Sequence, residues 1–170
     1  VEVAVKELDD TLAHAVDMLA AALKARRWML ATAESCTGGL IAAACTSVAG
    51  SSDWFERGIV SYSNEAKSEL LGVPAALIAQ HGAVSEEVAR AMAQGALDRS
   101  QAQIAVAVTG IAGPGGATPG KPVGTVWMAV ACSGEPVSAT LLQLKGDRAA
   151  VRAQTVAHVL NALNVALGKN

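Results

Sequence analysis

The segment Ala33-Glu34-Ser35-Cys36-Thr37-Gly38-Gly39 constrains the fold more than any other stretch of the chain. An apolar run, Trp28 to Thr32, leads into it, and a small-residue run, Leu40 to Cys45, leads out. That order predicts a strand over 28–34, a tight turn, and a helix over about 38–48. Such a turn sets one side chain beside several backbone N–H groups. A helix N-terminus also carries partial positive charge, so the place suits an anion or a developing oxyanion. Ser35 is the candidate nucleophile there. The plainer alternative is that Ser35 or Thr37 only caps the helix.

The remaining segments read as alternating helices and strands. Leu8, Leu12, Ala15, Val16, Leu19 and Leu23 recur at helical spacing, with Asp9 and Asp10 near the start and Lys24, Arg26 and Arg27 near the end. Ile59 to Ser63 predicts a short strand, with Asn64 capping a helical turn or two through Leu71. Pro74 opens a short helix to Gln80, and Ser85 caps a helix to about Asp98. Gln103 to Thr109 is a strand that runs into a Gly- and Pro-rich loop, Gly110 to Pro122, and loops of that length are usually functional. Val123–Cys132 and Val137–Leu144 form a hairpin, and Asp147 caps a closing helix with Val151, Val156, Val159, Leu160, Leu163 and Leu167 on its apolar positions.

This order predicts a three-layer α/β/α sandwich with a mixed, mostly parallel sheet, as one domain over 1–170. Active sites in such sheets gather at the carboxyl ends of parallel strands, and 33–39, 61–67 and 109–122 all sit at strand ends. Composition narrows the function. With 52% hydrophobic and 16% charged residues and a net charge of −2, no basic field argues for nucleic acid. A single Tyr and a single Phe provide no stacking platform for bases. No apolar segment reaches the length of a membrane span, and Val1-Glu2-Val3 does not resemble a signal peptide. Cys36, Cys45 and Cys132 are odd in number and lack metal-type spacing, so reduced thiols in the cytoplasm are expected.

A serine nucleophile needs a base. His14 and His158 fall on predicted helices and His81 in a turn beside Gly82, which gives little sign of a Ser-His-Asp triad. Lys67, at the start of a helix just after Tyr62, is the better candidate, since serine-lysine pairs are an established variant. A solvated lysine, with a pKa of about 10.4, is a poor base at neutral pH, so burial or nearby positive charge must lower it. Tyr62 is placed to hydrogen-bond to Ser35 or Lys67 and relay the proton. The alternative for Lys67 is a solvated lysine paired with Glu65 or Glu69. Metal chemistry is weakly supported, since Glu34, Asp147 and the other carboxylates are scattered. The 110–120 loop lacks P-loop order, but its N–H groups and Lys121 suit the border of an anionic substrate. Arg148, with Arg152 one turn later, could form a phosphate clamp at a helix start.

Taken together, Thr32–Gly39, Val60–Lys67, His81–Ser85, Thr109–Pro114, Lys121–Val126 and Gly146-Asp147-Arg148 resemble the CinA C-terminal domain family. The resemblance covers residues 8–167, nearly the whole chain. It implies hydrolysis of the carboxamide of nicotinamide mononucleotide to nicotinate mononucleotide and ammonia, in NAD recycling, without metal or cofactor and in a homodimer. By motif it implies Ser35 as nucleophile, Lys67 as base and Tyr62 as helper. The oxyanion would rest on N–H groups at Ser35–Thr37 or Thr109–Gly110, with Thr37, Gly38 and Gly39 the favoured donors. The substrate would lie against Ser63, Asn64, Thr109, Gly110, Ala112, Gly113 and Arg148. Two alternatives stay open: a non-catalytic pyridine-nucleotide-binding regulatory module of the same fold, and a serine-lysine hydrolase of another amide.

Overall fold

Ile104-Ala105-Val106-Ala107-Val108 alternates large and small apolar side chains, and both sets are buried. A strand of that composition needs cover on both faces, with bulk on one side and a closely approaching helix on the other. The computed structural model, which describes residues 2–168 and side chains from residue 10 onward, has that arrangement. In chain order the elements are α1 (Glu2–Arg26), β1 (Leu30–Glu34), α2 (Leu40–Thr46), a 3-10 turn (Ser51–Asp53), β2 (Phe55–Val60), α3 (Asn64–Leu71), α4 (Ala75–His81), α5 (Glu86–Asp98), β3 (Ile104–Gly110), β4 (Thr125–Cys132), β5 (Ser138–Gln143) and α6 (Arg148–Leu167). The sheet order is β2-β1-β3-β4-β5. β1 pairs parallel with β2 and β3, while β3–β4 and β4–β5 are antiparallel. This is the expected α/β fold with helices on both faces of a mixed sheet. Parallel pairing joins three of its strands and the late hairpin supplies the other two.

Leu30, Ile104, Val106, Val108, Val126, Met128 and Val130 face α1, α2 and α6. Ala31, Ala33, Ala105, Ala107, Ala129 and Ala131 face α5, which meets them with Val88, Ala89, Met92, Ala93 and Ala96. The alanine face lets α5 lie close, and Gly95 lets α5 lie equally close to α3. A Cβ at Gly95 would stand 1.9 Å from the carbonyl oxygen of Leu71. In an open helix Gly→Ala stabilises by about 1 kcal/mol. Here Gly95→Ala is expected to destabilise by about 2–4 kcal/mol, because the two helices must part. A urea titration checks this as a lowered midpoint with an unchanged slope.

The chain leaves β1 for β2 over one face of the sheet and reaches β3 over the other. β1 therefore lies between the two connections, and the carboxyl ends of β1, β2 and β3 share one edge, where a crevice forms. Two local expectations are corrected. The second strand is Phe55–Val60 and not 59–63: the Leu30 N–H bonds the Trp54 carbonyl and Phe55 pairs with Leu30, so the register of β1 recruits residues ahead of the β-branched run. Ser63 and not Asn64 caps α3, its Oγ accepting from the Ala66 N–H at 3.0 Å, and Asn64 is the first helical residue. Ser85 and Asp147 cap α5 and α6 as their side chains predict. Val16, Leu19 and Leu23 of α1 are buried, while the side chains of Leu8 and Asp9 lie outside the described residues.

Candidate active site

Glu34 ends β1 and is fully buried. Its Oε2 accepts from Thr37 Oγ1 (2.7 Å), the Gly39 N–H (3.0 Å) and the Ile41 N–H (3.0 Å), and its Oε1 accepts from the Ala42 N–H (2.8 Å). The start of α2 is thus satisfied from inside the protein. Its N-cap residue, Gly39, has no side chain for the task and sits at φ 103°, with Gly38 before it at φ 58°. Glycine takes both left-handed conformations without a steric penalty. Arg152 of α6 holds the same turn from another side, Nη2 donating to the Thr37 carbonyl at 3.0 Å.

The favoured oxyanion donors are corrected accordingly. The Gly39 N–H is taken by Glu34 and the Gly38 N–H by the Ser35 carbonyl. Among the described residues, the N–H groups of Cys36 and Thr37 have no backbone or carboxylate acceptor. A third donor stands across the crevice. The Ile111 N–H bonds the Thr125 carbonyl, so the alternation of an antiparallel ladder turns the Gly110 N–H away from β4 and toward the end of β1.

Ser35 is 8% exposed and Lys67 1% exposed. Lys67 Nζ lies 3.0 Å from Ser35 Oγ, 3.0 Å from the Ser61 carbonyl oxygen and 3.1 Å from that of Tyr62. Among the described residues no carboxylate pairs with Lys67, so the alternative with Glu65 or Glu69 does not hold. Burial lowers its pKa below the ordinary 10.5, and only a thiolate at Cys36 would work the other way. That thiol is itself pushed up to about 11, chiefly by burial, so it stays protonated at neutral pH and adds no such charge.

The three acceptors around Nζ are not alike. Carbonyl oxygens only accept, whereas a serine hydroxyl also has a proton to give. A neutral amine has two N–H groups and one lone pair. With the N–H groups on the Ser61 and Tyr62 carbonyls, the lone pair is aimed at the Ser35 hydroxyl. Once protonated, the ammonium finds an acceptor for each of its three N–H groups at the same positions. The cage can therefore hold either state without moving, which is what a proton shuttle requires.

Ser35 and Lys67 open into a cavity of about 200 Å³, which Tyr62, Asn64, Thr109, Gly110, Ala112 and Arg148 also line. Thr37, Gly38, Gly39, Ser63 and Gly113 are not among the residues that line it. The phenol of Tyr62 does not meet Ser35 or Lys67. It is 61% exposed, and its oxygen accepts from Arg148 Nη2 at 3.1 Å, while the carbonyl of the same residue receives Lys67. Arg148 Nη1 donates to the Gly113 carbonyl at 2.9 Å. Cys36, Ala83 and Val84 line the cavity without having been singled out by their chemistry. Thr109 Oγ1 donates to the Ala83 carbonyl at 2.8 Å and draws in that segment, for which the His81–Ser85 motif was the only signal. His81 is turned to Glu87, Nδ1 to Oε1 at 3.3 Å, and Lys121 Nζ donates to the His81 carbonyl at 3.0 Å.

A family model for the CinA C-terminal domain matches residues 12–167. A protein of Enterobacter agglomerans named nicotinamide-nucleotide amidohydrolase PncC is 55% identical over 136 residues, covering 80% of this chain and 83% of its own. Its namesake from Escherichia coli K12 is 51% identical over 156 residues, covering 91% of this chain and 94% of its own. Longer relatives also match: a CinA-like protein of Mycolicibacterium gilvum is 56% identical over 152 residues, and the match spans 36% of its length. Among solved structures, the competence/damage inducible protein CihA from Agrobacterium tumefaciens superposes with a TM-score of 0.89 at 43% identity, covering 94% of this chain and 96% of its own. With the family model matched over residues 12–167 and the fold in common, the chain belongs to the CinA C-terminal domain family.

Proposed function

We propose that this protein hydrolyses the carboxamide of nicotinamide mononucleotide to nicotinate mononucleotide and ammonia, by nucleophilic catalysis at Ser35 with Lys67 as base. The observation that carries the reading is the 3.0 Å contact between a buried, carboxylate-free lysine and a serine at the end of a parallel strand. The names of its relatives supply the substrate class. The three cysteines are free thiols, which suits work in a reducing cytoplasm.

Neutral Lys67 takes the Ser35 proton as Oγ bonds to the amide carbon. The carbonyl oxygen becomes an oxyanion and is received by N–H groups of the Cys36–Thr37 turn and of Gly110. The Lys67 ammonium gives its proton to the departing amide nitrogen, the C–N bond breaks, and ammonia leaves an ester on Ser35. Lys67 then takes a proton from water, whose oxygen bonds to the ester carbon. When the C–Oγ bond breaks, Lys67 returns that proton to Ser35 and the carboxylic acid departs. Arg148 turns from the Tyr62 phenol to the substrate phosphate, since a phosphate dianion is the stronger acceptor. The pyridinium ring brings a second cation beside Lys67 and favours its neutral form.

The test is ammonia release from nicotinamide mononucleotide, its riboside and free nicotinamide. Turnover of the nucleotide at least tenfold above the other two is expected. Binding without any ammonia would leave a regulatory module, and faster release from an unrelated amide would leave another hydrolase. The pH profile adds a second check. kcat/KM should fall as pH drops through the Lys67 pKa, which burial sets below 10.5, and the inflection in kcat should lie lower still because of the pyridinium. Stability follows the same group. Above 10.5 Lys67 is neutral both folded and unfolded. Below that, the unfolded chain takes up a proton that the folded chain refuses, so stability declines until the folded pKa is passed and is flat beneath it.

A further inference from the structure

α6 opens with two arginines one turn apart, and they reach different parts of the site. Arg148 touches the Gly113 carbonyl and the Tyr62 phenol at the mouth of the catalytic cavity. Arg152 passes beneath the nucleophile turn and donates to the Thr37 carbonyl, two residues past Ser35. Gly38 lies against it, a Cβ there standing 3.7 Å from Arg152 Nη2, an ordinary contact distance. Both arginines line a second cavity of about 520 Å³, which adjoins the catalytic one through Ala112 and Arg148.

Arg152 is a poor stabilising contact. Its Nε is buried without an acceptor, and among the described residues no carboxylate pairs with it. A buried donor left unmade is unfavourable, and one kept in a native fold calls for an explanation. The donors of the turn are already satisfied from inside by Glu34, and the Thr37 carbonyl that Arg152 reaches also accepts from the Leu40 N–H at 3.2 Å.

We propose that Arg152 is a positioning residue that couples the anion end of the substrate to the nucleophile. The inference rests on the amidase reading above. When Arg148 closes on the substrate phosphate, the first turns of α6 settle as one body. Arg152 then fixes the Thr37 peptide, and with it the Ser35 hydroxyl and the neighbouring N–H donors. Binding energy at the phosphate is in this way expressed in the rate of the chemical step and not only in affinity.

The experiment compares wild type, Arg152→Gln and Arg152→Lys on nicotinamide mononucleotide and on its riboside. In wild type the phosphate should raise kcat by about 100-fold. In Arg152→Gln that ratio should shrink to under about tenfold, with the nucleotide KM within threefold of wild type. Arg152→Lys, which keeps one donor for Thr37, should recover at least half of the lost ratio on a logarithmic scale. A second measurement needs no variant: phosphite added to wild type with the riboside should accelerate ammonia release at least about tenfold. The inference is overturned if Arg152→Gln lowers both substrates equally, if it raises the nucleotide KM with kcat unchanged, or if phosphite has no effect on wild type. A wild type that releases no ammonia from the nucleotide would overturn the amidase reading itself, a distinct outcome.

Discussion

Lys67→Met is expected to lower ammonia release by about 10³- to 10⁴-fold, the scale of a lost general base, while leaving the fold about as stable as wild type. The two halves belong together. Lys67 is among the largest fully buried side chains, and among the described residues no carboxylate pairs with it. Methionine fills a similar length without the cost of desolvating an amine. Two carbonyls, of Ser61 and Tyr62, lose a donor, which limits the gain, so the unfolding free energy should stay within about 1 kcal/mol of wild type. The decline of stability below pH 10.5 should disappear, since the group responsible is gone. Activity assays and urea titrations at two pH values check this. A variant that unfolds, or one that keeps a tenth of its turnover, would mean that Lys67 is held for structure.

Glu34→Ala is expected to be the most destabilising change at the site, by about 3–5 kcal/mol. The carboxylate receives three backbone N–H groups and one hydroxyl, and all four lose that acceptor in the variant. Hydrogen bonds to a charged acceptor contribute about 1.5–3 kcal/mol each, part of which water entering the gap would restore. Since a domain has about 5–15 kcal/mol in total, much of the folded population is at stake. Glu34→Gln keeps an oxygen for three donors but sets an amide N–H against the fourth, so about 1–3 kcal/mol is expected. Activity should fall in both, because the turn that aims Ser35 is built on this carboxylate. Equilibrium urea unfolding measures the effect, and a loss under about 1 kcal/mol in Glu34→Ala would show that the cap is dispensable.

Much of the fold was legible because hydrophobic period and capping chemistry are local. Ser85, Asp147 and the apolar positions of α6 behave as their spacing predicts. β2 was misplaced because an edge strand takes its register from its neighbour, and Trp54 and Phe55 carry no periodic mark. The task of Glu34 was hidden for a related reason. A helix is expected to be capped by its own N-cap residue, whereas this one is capped by a carboxylate five to eight residues ahead of its backbone donors, reaching back from the preceding strand. The two glycines that replace a capping side chain were the available clue.

Tyr62 shows where residue identity misleads. A tyrosine beside a serine-lysine pair invites a role for its phenol. The chain leaving β2, however, sends the carbonyl inward and the ring outward, and no property of the side chain reports that. Ala83 and Val84 carry no chemical signal, and the segment that brings them to the cavity is held by Thr109, Lys121 and Ser85. From its spacing Arg152 reads as the second arm of a phosphate clamp with Arg148. Its position beneath Thr37 depends on how α6 packs across the turn after β1, which spacing along one helix does not encode.

Ammonia release from nicotinamide mononucleotide by Ser35→Ala, set against wild type, decides whether Ser35 is the nucleophile. Ser35 contacts Lys67 through its hydroxyl alone, so removing that oxygen leaves the lysine cage and the turn in place. A folded protein with no release above background is expected, a loss of at least about 10⁴-fold. Turnover within tenfold of wild type would contradict it, since water activated by Lys67 would then be sufficient and Ser35 would not be the nucleophile.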